Sequence, residues 1–535
     1  MKKILTFILF AIGLQFNAVC AHNNHHQTIQ DYSQWINSLP GTYNVAQGNA
    51  YLMLNSECPL YVSIFGSCFG QNPAAPYIIP QPPIENSYVD PYYAVPLNTP
   101  GPDGTTNIIY RLSDQDALVT IVSYPPEAAF FGYVSYVFTR EASYYDNVPA
   151  PHARTVSPDP SRYEIFGSIG NDVNNVIVRN QIGFIPWGRS VVVYITTSNE
   201  LLAEALIHNA KKQGINPDSI FIEKIGSNVI TGNDSSADDM STLMRYAVPR
   251  SQTNANTWTD NLSENVLVYK VTNPTIEVSR YGANQYTPHQ INNAENTKPI
   301  KKALHQLARL LGKYLEKVQS SPSSFRPAIP TTEDNSEGIP YKGLVGSYAI
   351  EYGVLAAGDD QDTSTYAIAL MTNLGATETA FIVGVNHNVA GLNNTHYVSI
   401  DIYNTDVGEG IASTSQTNIK ATGFDSGNLN GSAQAVLMAL GIKIPKRFKE
   451  LRENIFKLYV SALTRDVNNP ATAAINKYCI NLNGTTLLPE GAPLSIAERS
   501  YIVPGTTTGG NVNEMLYPLI VAAADDFGGL YDVIN

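Results

Sequence analysis

Short apolar runs and alternating apolar and polar positions dominate this chain, a pattern that predicts a protein built mainly from β-strands. One group of such runs, NIIYRL, ALVTIVSY and GYVSYVFTR, lies between residues 107 and 140. A second group, STYAIALMT, TAFIVGVNH and HYVSIDIYN, lies between residues 364 and 404. The strands of the second group are expected to share one sheet.

A β-α-β unit is predicted in the first half of the chain. SVVVYITT, residues 190–197, has the pattern of a buried strand, and Ser198 or Asn199 can cap a helix that runs to Gln213. SIFIEK, residues 219–224, then forms a second strand. Because strands joined through a crossover helix lie parallel, part of this sheet is expected to be parallel.

The clearest helical pattern runs from Thr297, which can act as its cap, to Gln319. The apolar residues that recur there at helical spacing are Ile300, Leu304, Leu307, Leu311, Tyr314 and Val318. Weaker patterns predict a short helix near 238–246 and helical stretches around 431–441 and 446–463.

These elements predict a mixed α/β or α+β fold with two β-rich domains, the first of which contains the β-α-β unit. The segment 320–338, SSPSSFRPAIPTTEDNSEG, is predicted to be a linker because it is rich in serine and proline. The first domain would span residues 22–319, with a proline-rich insertion at 73–104, and the second would span 339–535. No strict internal repeat is visible in the sequence.

The first 21 residues have the pattern of a secretory signal peptide. Two lysines precede an apolar stretch from Ile4 to about Phe16, and VCA at 19–21 supplies the residues that a signal peptidase reads. The apolar stretch is shorter than a bilayer-spanning helix requires. Cleavage near Ala21 would leave the mature protein secreted or periplasmic.

The chain carries a formal net charge of −13, and only 15% of its residues are charged. This balance argues against a nucleic-acid partner and against attraction to an anionic membrane surface, because few cations would face the phosphates. The 32 tyrosines outnumber the 17 phenylalanines and 3 tryptophans, a composition that suits contact with carbohydrate. An extracellular polymer, a glycan or an ester is therefore the expected partner or substrate.

Cys58 and Cys68 are close in sequence, and they are predicted to form a disulfide in an oxidising compartment. Cys479 is then left over. Its apolar neighbours predict an inert thiol within the core rather than a nucleophile.

Two histidines are candidates for catalysis. His387 ends the strand TAFIVGVNH, and His396 begins the next strand after a loop. The two side chains could meet at one end of the sheet, where an imidazole pair can bind a metal or act as general acid and base. Their neighbours Asn386 and Tyr397 are candidate substrate-binding residues. The alternative is that both histidines only bond to the backbone of loops.

Asp359, Asp360 and Asp362 lie in GDDQDTST, with carboxylates at alternating positions as in a calcium-binding loop. The segment lacks the glycine and the distal glutamate of such loops, so a solvated turn is the alternative. Calcium is the cofactor that this pattern suggests.

Two further pairs of polar residues are candidates. Glu498 and Arg499 are adjacent in the apolar segment IAERSYI, so they need partners if they are buried. They fit either a structural salt-bridge network or a catalytic role. Asn171 and Asp172 lie in GNDVNN, where Asp172 is a candidate catalytic residue and Asn171 a candidate substrate-binding residue. The pair fits either a site for substrate or calcium or a simple turn.

Scattered blocks of the chain resemble secreted proteins of bacteria and fungi. The blocks are SYPPEAAFFGYVSYVFTR (123–140), IFGSIGNDVNNVIV (165–178), MSTLMRYAVP (240–249), GVNHNVAG (384–391) and IAERSYIVPGT (496–506). The resemblance implies no particular activity, but it points to the regions around Asn171, Asp172, His387, Glu498 and Arg499.

The sequence favours a secreted hydrolase that acts on an extracellular or host-derived polymer or ester, with His387 as acid and base together with His396 or a carboxylate. It lacks the G-x-S-x-G, H-E-x-x-H, P-loop and G-x-G-x-x-G motifs of common enzyme classes. The alternative is a non-catalytic glycan-binding or adhesion protein. A third hypothesis is a copper oxidase that uses His22 at the mature N-terminus.

Overall fold

The computed structural model describes residues 27–65, 68, 70–72, 75, 77–83, 108–146, 154–155, 161–283, 287, 289–330, 349–351, 353, 364–372, 374–406, 409–413, 429–466, 468–469, 472–482 and 488–527. The predicted signal peptide, His22 and most of the proline-rich insertion lie outside these residues.

The helices are distributed over both halves of the chain. They are α1 (Ile29–Asn37), α2 (Cys58–Phe65), α3 (Asn175–Ile182), α4 (Glu200–Lys212), α5 (Gln252–Asp260), α6 (Leu262–Asn265), α7 (Lys298–Gln319), α8 (Ser432–Ala439) and α9 (Lys449–Asn454).

The strands outnumber the helices. Those of the first half are β1 (Asn44–Gln47), β2 (Asn49–Met53), β3 (Tyr77–Gln81), β4 (Asp116–Ser123), β5 (Ala128–Glu141), β6 (Arg154–Thr155), β7 (Arg162–Ser168), β8 (Val173–Asn174), β9 (Val191–Thr197), β10 (Ile220–Lys224), β11 (Asp239–Pro249) and β12 (Val266–Thr272). Those of the second half are β13 (Ser323–Pro327), β14 (Ile329–Pro330), β15 (Ser364–Met371), β16 (Thr379–Val385), β17 (Tyr397–Asn404), β18 (Glu409–Ser413), β19 (Leu458–Thr464), β20 (Cys479–Asn481), β21 (Leu494–Tyr501) and β22 (Leu519–Ala523).

Each half contains two stacked sheets, an outer sheet covered by helices and an inner sheet that faces the other half. The first outer sheet has the strand order β1-β12-β4-β9-β10, and the first inner sheet has the order β2-β3-β11-β5-β7-β6, with β8 beside β5. The second outer sheet has the order β13-β22-β16-β19-β20, and the second inner sheet has the order β14-β15-β21-β17-β18.

The second half repeats the topology of the first. In both outer sheets every neighbouring pair is antiparallel except the last pair, β9 with β10 and β19 with β20, which is parallel. In both halves a single residue separates the first outer strand from the first inner strand, Gly48 in one and Ala328 in the other. The chain therefore contains a structural repeat that its sequence does not display.

The hydrophobic cores follow these layers. α1 and α4 pack on the first outer sheet, and α7 and α8 pack on the second outer sheet. Two further cores fill the space between the outer and inner sheet of each half. The inner sheets meet through a smaller cluster that includes Phe130 and Tyr501, whose ring centroids are 4.9 Å apart.

The fold class and the β-α-β unit are confirmed. β9, α4 and β10 follow the predicted order, and Asn199 caps the helix by accepting a hydrogen bond from the backbone N–H of Leu201. α7 spans 298–319 as predicted, but its buried stripe continues through Leu315 and leaves Val318 exposed.

Three predictions of elements are wrong. The predicted helix near 238–246 is the strand β11, which is buried on both faces and therefore lacks the alternation of a half-exposed strand. The predicted helix 446–463 is the short α9 followed by the strand β19. Residues 77–81 of the predicted proline-rich insertion form β3, an internal strand of the first inner sheet.

The predicted boundary between the domains is also wrong. α7 packs against the second outer sheet rather than against the first half. Residues 323–330 of the predicted linker form β13 and β14, which belong to the two sheets of the second half. The second half therefore begins before α7, and the prolines of this segment lie in strands at the ends of their sheets.

A buried carboxyl group links the two sheets of the first half. Glu223 of β10 accepts hydrogen bonds from the backbone N–H and the hydroxyl of Ser135, both at 2.5 Å, and from the hydroxyl of Thr196 at 2.6 Å. Burial raises the pKa of Glu223 to about 7, and these hydrogen bonds oppose the rise. The group therefore stabilises the fold more at acidic than at alkaline pH.

We expect Glu223→Gln to remove one pH-dependent part of the stability. With a raised pKa, the contribution of Glu223 is complete below the pKa of an unfolded glutamate, about 4.3, and is lost as the pH rises through about 7, at a cost of about 3 kcal/mol. Chemical denaturation of both proteins from about pH 4 to about pH 9 measures this difference. Parallel curves for the two proteins would contradict the prediction.

Candidate functional site

His387 lies in a fully buried network of charged and polar groups. Its Nδ1 is 2.8 Å from both carboxylate oxygens of Glu295, and its Nε2 is 3.2 Å from Oε1 of Glu498. The hydroxyl of Tyr459 donates to Oε2 of Glu498 at 2.6 Å, and the amide of Asn394 donates to Glu295 at 2.8 Å. The relative exposure of His387 is 0%, so the ring does not contact solvent.

The charges in this network fix the state of the imidazole. Burial alone would lower the pKa of His387, but the carboxylates of Glu295 and Glu498 outweigh it and raise the pKa to about 10. A general acid and base near neutral pH needs a pKa close to the working pH and access to the substrate. The geometry gives His387 neither property and favours a structural ion-pair role.

One glycine makes room for the network. Gly384 of β16 lies opposite Tyr459 of β19, and a Cβ atom at Gly384 would overlap the tyrosine ring. The ring therefore crosses the strand at Gly384 and carries its hydroxyl to Glu498 on the second inner sheet. This contact joins the outer and inner sheets of the second half.

His396 has different surroundings from His387. Burial lowers the pKa of His396, and the nearby positive charge of Arg179 lowers it further. Its backbone N–H donates to the carbonyls of Tyr501 and Ile502, at 2.9 and 2.8 Å. The two histidines thus differ in charge as well as in partners, which does not match a catalytic pair.

Glu498 and Arg499 point to opposite faces of β21, as adjacent residues of a strand must. Glu498 faces the outer sheet and His387, whereas Arg499 faces the first half. The Nε of Arg499 is 3.2 Å from Oδ2 of Asp401, and its Nη2 donates to the carbonyl of Gly70 at 2.9 Å. Arg499 also donates to the hydroxyl of Tyr403. The two residues therefore belong to two separate networks.

Arg245 occupies the position in the first half that Arg499 occupies in the second. Arg245 of β11 pairs with Tyr77 of β3, and Arg499 of β21 pairs with Tyr366 of β15. Each guanidinium also lies near the ring of its paired tyrosine, at 5.2 and 4.9 Å from the centroid. The segments MSTLMRYAVP (240–249) and IAERSYIVPGT (496–506) are thus equivalent parts of the repeat.

The backbone after each arginine supports this equivalence. Three residues further on, Val248 has a φ of 54° and Ile502 has a φ of 43°. Branched residues rarely adopt this left-handed conformation, because Cβ meets the backbone. The shared strain lies at the C-terminal end of each strand.

The two arginines lie beside the same pair of tyrosines, between the inner sheets. Arg245 donates to the hydroxyl of Tyr366 at 3.1 Å, and that hydroxyl lies 3.2 Å from the hydroxyl of Tyr501. Burial would raise the pKa of Tyr501, but Arg245 and Arg499 outweigh it, so the pKa of this phenol is lowered. We define these two arginines and the tyrosines around them as the arginine–tyrosine cluster, which joins the two halves.

The other candidate residues have structural partners. Asp172 is buried, and it accepts the backbone N–H of Tyr133 at 2.9 Å above Gly132, where a Cβ would overlap its carboxylate. Asn171 donates to the hydroxyl of Thr287 at 3.1 Å.

The two candidate substrate-binding residues also lie in structured backbone. Asn386 is buried, and its side-chain oxygen accepts the N–H of Asn388 at 3.3 Å. Tyr397 is the first residue of β17 and pairs with Tyr501.

The proposed calcium ligands Asp359, Asp360 and Asp362 lie outside the described residues. Within the described part of the chain, no group of three or more His, Cys, Asp or Glu side chains is arranged to hold a metal ion. The disulfide predicted between Cys58 and Cys68 is present. Burial raises the pKa of Cys479 to about 12.

Most of the tyrosines that the structure describes are core residues. Tyr77, which lies in the predicted tyrosine-rich insertion, is buried in the first inner sheet. The tyrosines with less than 2% exposure include Tyr61, Tyr124, Tyr133, Tyr136, Tyr194, Tyr269, Tyr459 and Tyr501. Within the described residues, the tyrosine content therefore contributes largely to the core.

The outer helices of the second half form a strongly basic surface that the sequence analysis missed. Segments 298–319 and 443–457 contain twelve of the 33 lysines and arginines but only three of the 46 acidic residues. We define their cations as the basic helical layer: Lys298, Lys301, Lys302, Arg309, Lys313, Lys317, Lys443, Lys446, Arg447, Lys449, Arg452 and Lys457. Averaging the charge over the whole chain hides this surface.

α7 and α9 hold the basic helical layer together. Nζ of Lys302 is 2.7 Å from Glu450, and Gln306 accepts the backbone N–H of Leu451 at 3.0 Å. Between the two helices lies a groove of about 590 Å³. It is lined by Lys298, Lys301, Lys302, His305, Gln306, Arg309 and Phe448.

The groove has the electrostatic character of an anion site. Burial lowers the pKa of His305, and the positive charges of Lys301 and Arg309 lower it further. The groove also lies at the first turns of α7, where the helix dipole adds positive potential. A local count of Lys and Arg along 298–317 and 443–457 is the sequence signal that finds this site.

We expect His387→Gln to destabilise the protein by about 3–5 kcal/mol at neutral pH, because the variant leaves two buried carboxyl groups without a cation. The raised pKa of His387 implies that this stabilisation is complete below the pKa of an unfolded histidine, about 6.5, and is lost as the pH rises through about 10. Chemical denaturation across this range tests the prediction. Equal stability of the two proteins at neutral pH would contradict it.

The comparisons with known proteins leave the function open. No family model and no curated protein matches the chain. Among solved structures, the chain is similar to the crystal structure of the VPA0106 protein from Vibrio parahaemolyticus, with 10% sequence identity and a TM-score of 0.29. That match covers 77% of this chain and 87% of the Vibrio protein.

Proposed function

We propose that this protein is an exported, non-catalytic binding protein that attaches to an anionic extracellular partner through its basic helical layer. The observation that carries the proposal is the concentration of twelve cations in two packed helical segments of a chain with a net charge of −13. The partner's chemistry is a dense array of phosphate, sulfate or carboxylate groups.

The cations of the basic helical layer repel one another unless an anion lies against them. The side chains of Lys301, Lys443 and Lys446 are exposed, and like charges on one surface raise the free energy of the free protein. An anionic surface attracts each such cation with about 1 kcal/mol, and the attraction falls with salt. Several cations together give a useful affinity without a deep pocket.

The surroundings of the histidines favour binding over hydrolysis. His387 is buried between two carboxylates, and the pKa of His396 is shifted in the opposite direction. The groove, in contrast, presents cations and the ring of Phe448 at the surface, a combination that can hold an anionic group against an apolar face.

The N-terminal segment, which has the pattern of a signal peptide, supports export. The disulfide between Cys58 and Cys68 fits an oxidising compartment. None of the described helices combines the length and apolar character needed to cross a bilayer.

We expect the purified protein to bind immobilised heparin, used as a probe of clustered sulfate and carboxylate groups, with an affinity that falls as salt increases. The triple variant Lys301→Gln, Lys443→Gln and Lys446→Gln should bind at least about tenfold more weakly, because each lost cation removes about 1 kcal/mol. Surface plasmon resonance at two salt concentrations measures both effects.

The matched control removes three cations from the first half. Lys211, Lys212 and Arg189 are exposed, and their replacement by glutamine changes the net charge equally. We expect the control to retain the affinity of the unmodified protein. Equal weakening in both triple variants would indicate a general charge effect and would contradict a site in the basic helical layer.

A further inference from the structure

We propose that the anionic partner is the surface of a lipid bilayer with acidic headgroups, and that Met438 and Phe456 enter its interfacial region. This inference rests on the proposed function, because it uses the same basic helical layer. It adds a second feature, an apolar part of the same surface, which an array of charges alone does not explain.

Two large apolar side chains are exposed beside the cations. Met438 at the end of α8 is 73% exposed and Phe456 is 51% exposed. Phe456 lies in the turn Ile455–Lys457, which directly follows α9 and packs against α8. Phe456 therefore lies within the basic segment 443–457, and Met438 lies on the helix that this turn contacts.

Cations and apolar groups alternate closely on this surface. Nζ of Lys457 lies 5.8 Å from the ring centroid of Phe456, and the guanidinium of Arg447 lies 5.4 Å from that of Phe448. A bilayer interface satisfies both kinds of group at once, because phosphates lie a few ångströms above the acyl chains. Long lysine and arginine stems can reach the phosphates while an apolar neighbour enters the boundary.

A polyanion in water would use the cations but not the apolar residues. Exposed apolar side chains gain free energy only when they leave water, and a hydrated sulfated chain offers no apolar phase. The groove beside α7 then supplies a place for one headgroup, because its volume of about 590 Å³ and its four lining Lys and Arg residues match a phosphorylated headgroup in size and charge.

The net charge of the chain does not oppose this assignment. Electrostatic attraction to a membrane falls off within about 10 Å at moderate salt, so the charges nearest the lipid dominate. In the basic helical layer these charges are positive, although the whole chain is negative. The expectation from composition, that the protein avoids anionic membranes, therefore does not hold for this face.

The test measures binding to vesicles of phosphatidylcholine with and without phosphatidylglycerol. We expect the protein to sediment with the acidic vesicles only. The double variant Met438→Ser and Phe456→Ser should bind them at least about tenfold more weakly, because both residues leave water on binding. Its affinity for heparin should stay unchanged, because every cation is kept.

A matched control replaces two equally exposed apolar residues elsewhere. Phe184 and Ile185 in the first half are 50% and 60% exposed. The variant Phe184→Ser and Ile185→Ser should bind acidic vesicles like the unmodified protein. In a further variant, Phe456→Trp, the emission should shift to shorter wavelength on acidic vesicles.

The outcomes separate the two proposals. Binding to heparin without binding to acidic vesicles overturns the bilayer assignment and leaves the proposed function intact. Vesicle binding that ignores Met438 and Phe456 overturns their entry into the interfacial region. Loss of vesicle binding in both serine variants overturns the assignment of these two residues. No binding to heparin or to acidic vesicles overturns both proposals.

Discussion

The contact between the two inner sheets through the arginine–tyrosine cluster is the constraint on which the rest of the molecule depends. Two fully buried guanidiniums, Arg245 and Arg499, approach the same two tyrosines, Tyr366 and Tyr501. A guanidinium without polar partners would be very costly at this depth. The hydroxyls and rings therefore determine how closely and in which register the halves pack.

The cluster also orders the layers outside it. Because adjacent residues of β21 face opposite sides, placing Arg499 toward the first half directs Glu498 toward the outer sheet. Glu498 then holds His387 and Tyr459, which tie β16 and β19 to the inner sheet. One strand thus carries charge to both of its faces and connects the interface between the halves with the interior of the second half.

The sequence predicts local elements well where their periodicity is complete. The β-α-β unit and the helix at 298–319 were predicted because one face of each helix is apolar and the other polar. The segment 238–246 predicts a helix although the strand 239–249 forms there, because burial on both faces removes the alternation of a half-exposed strand. The segment 320–338 predicts a linker because its prolines are untypical of strands, although two strands at the ends of their sheets form there.

The candidate site was harder to predict, because proximity in space leaves no spacing in the sequence. His387 and Glu498 were singled out, but Glu295, their third partner, lies 92 residues from His387 and carries no local signal. Arg245 was passed over because its equivalence to Arg499 is visible only from the pairing of strands. The basic helical layer was missed for another reason: net charge is an average, whereas attraction depends on local density.

The structural repeat does not extend to the charge of the helices that cover the outer sheets. Both halves have helices on an outer sheet, but α1 contains no lysine or arginine, whereas α7 contains six. Two halves of one topology therefore differ in the charge that these outer helices present. In the field of a negatively charged surface, the six cations of α7 would favour an orientation in which the helices of the second half face that surface before contact is made.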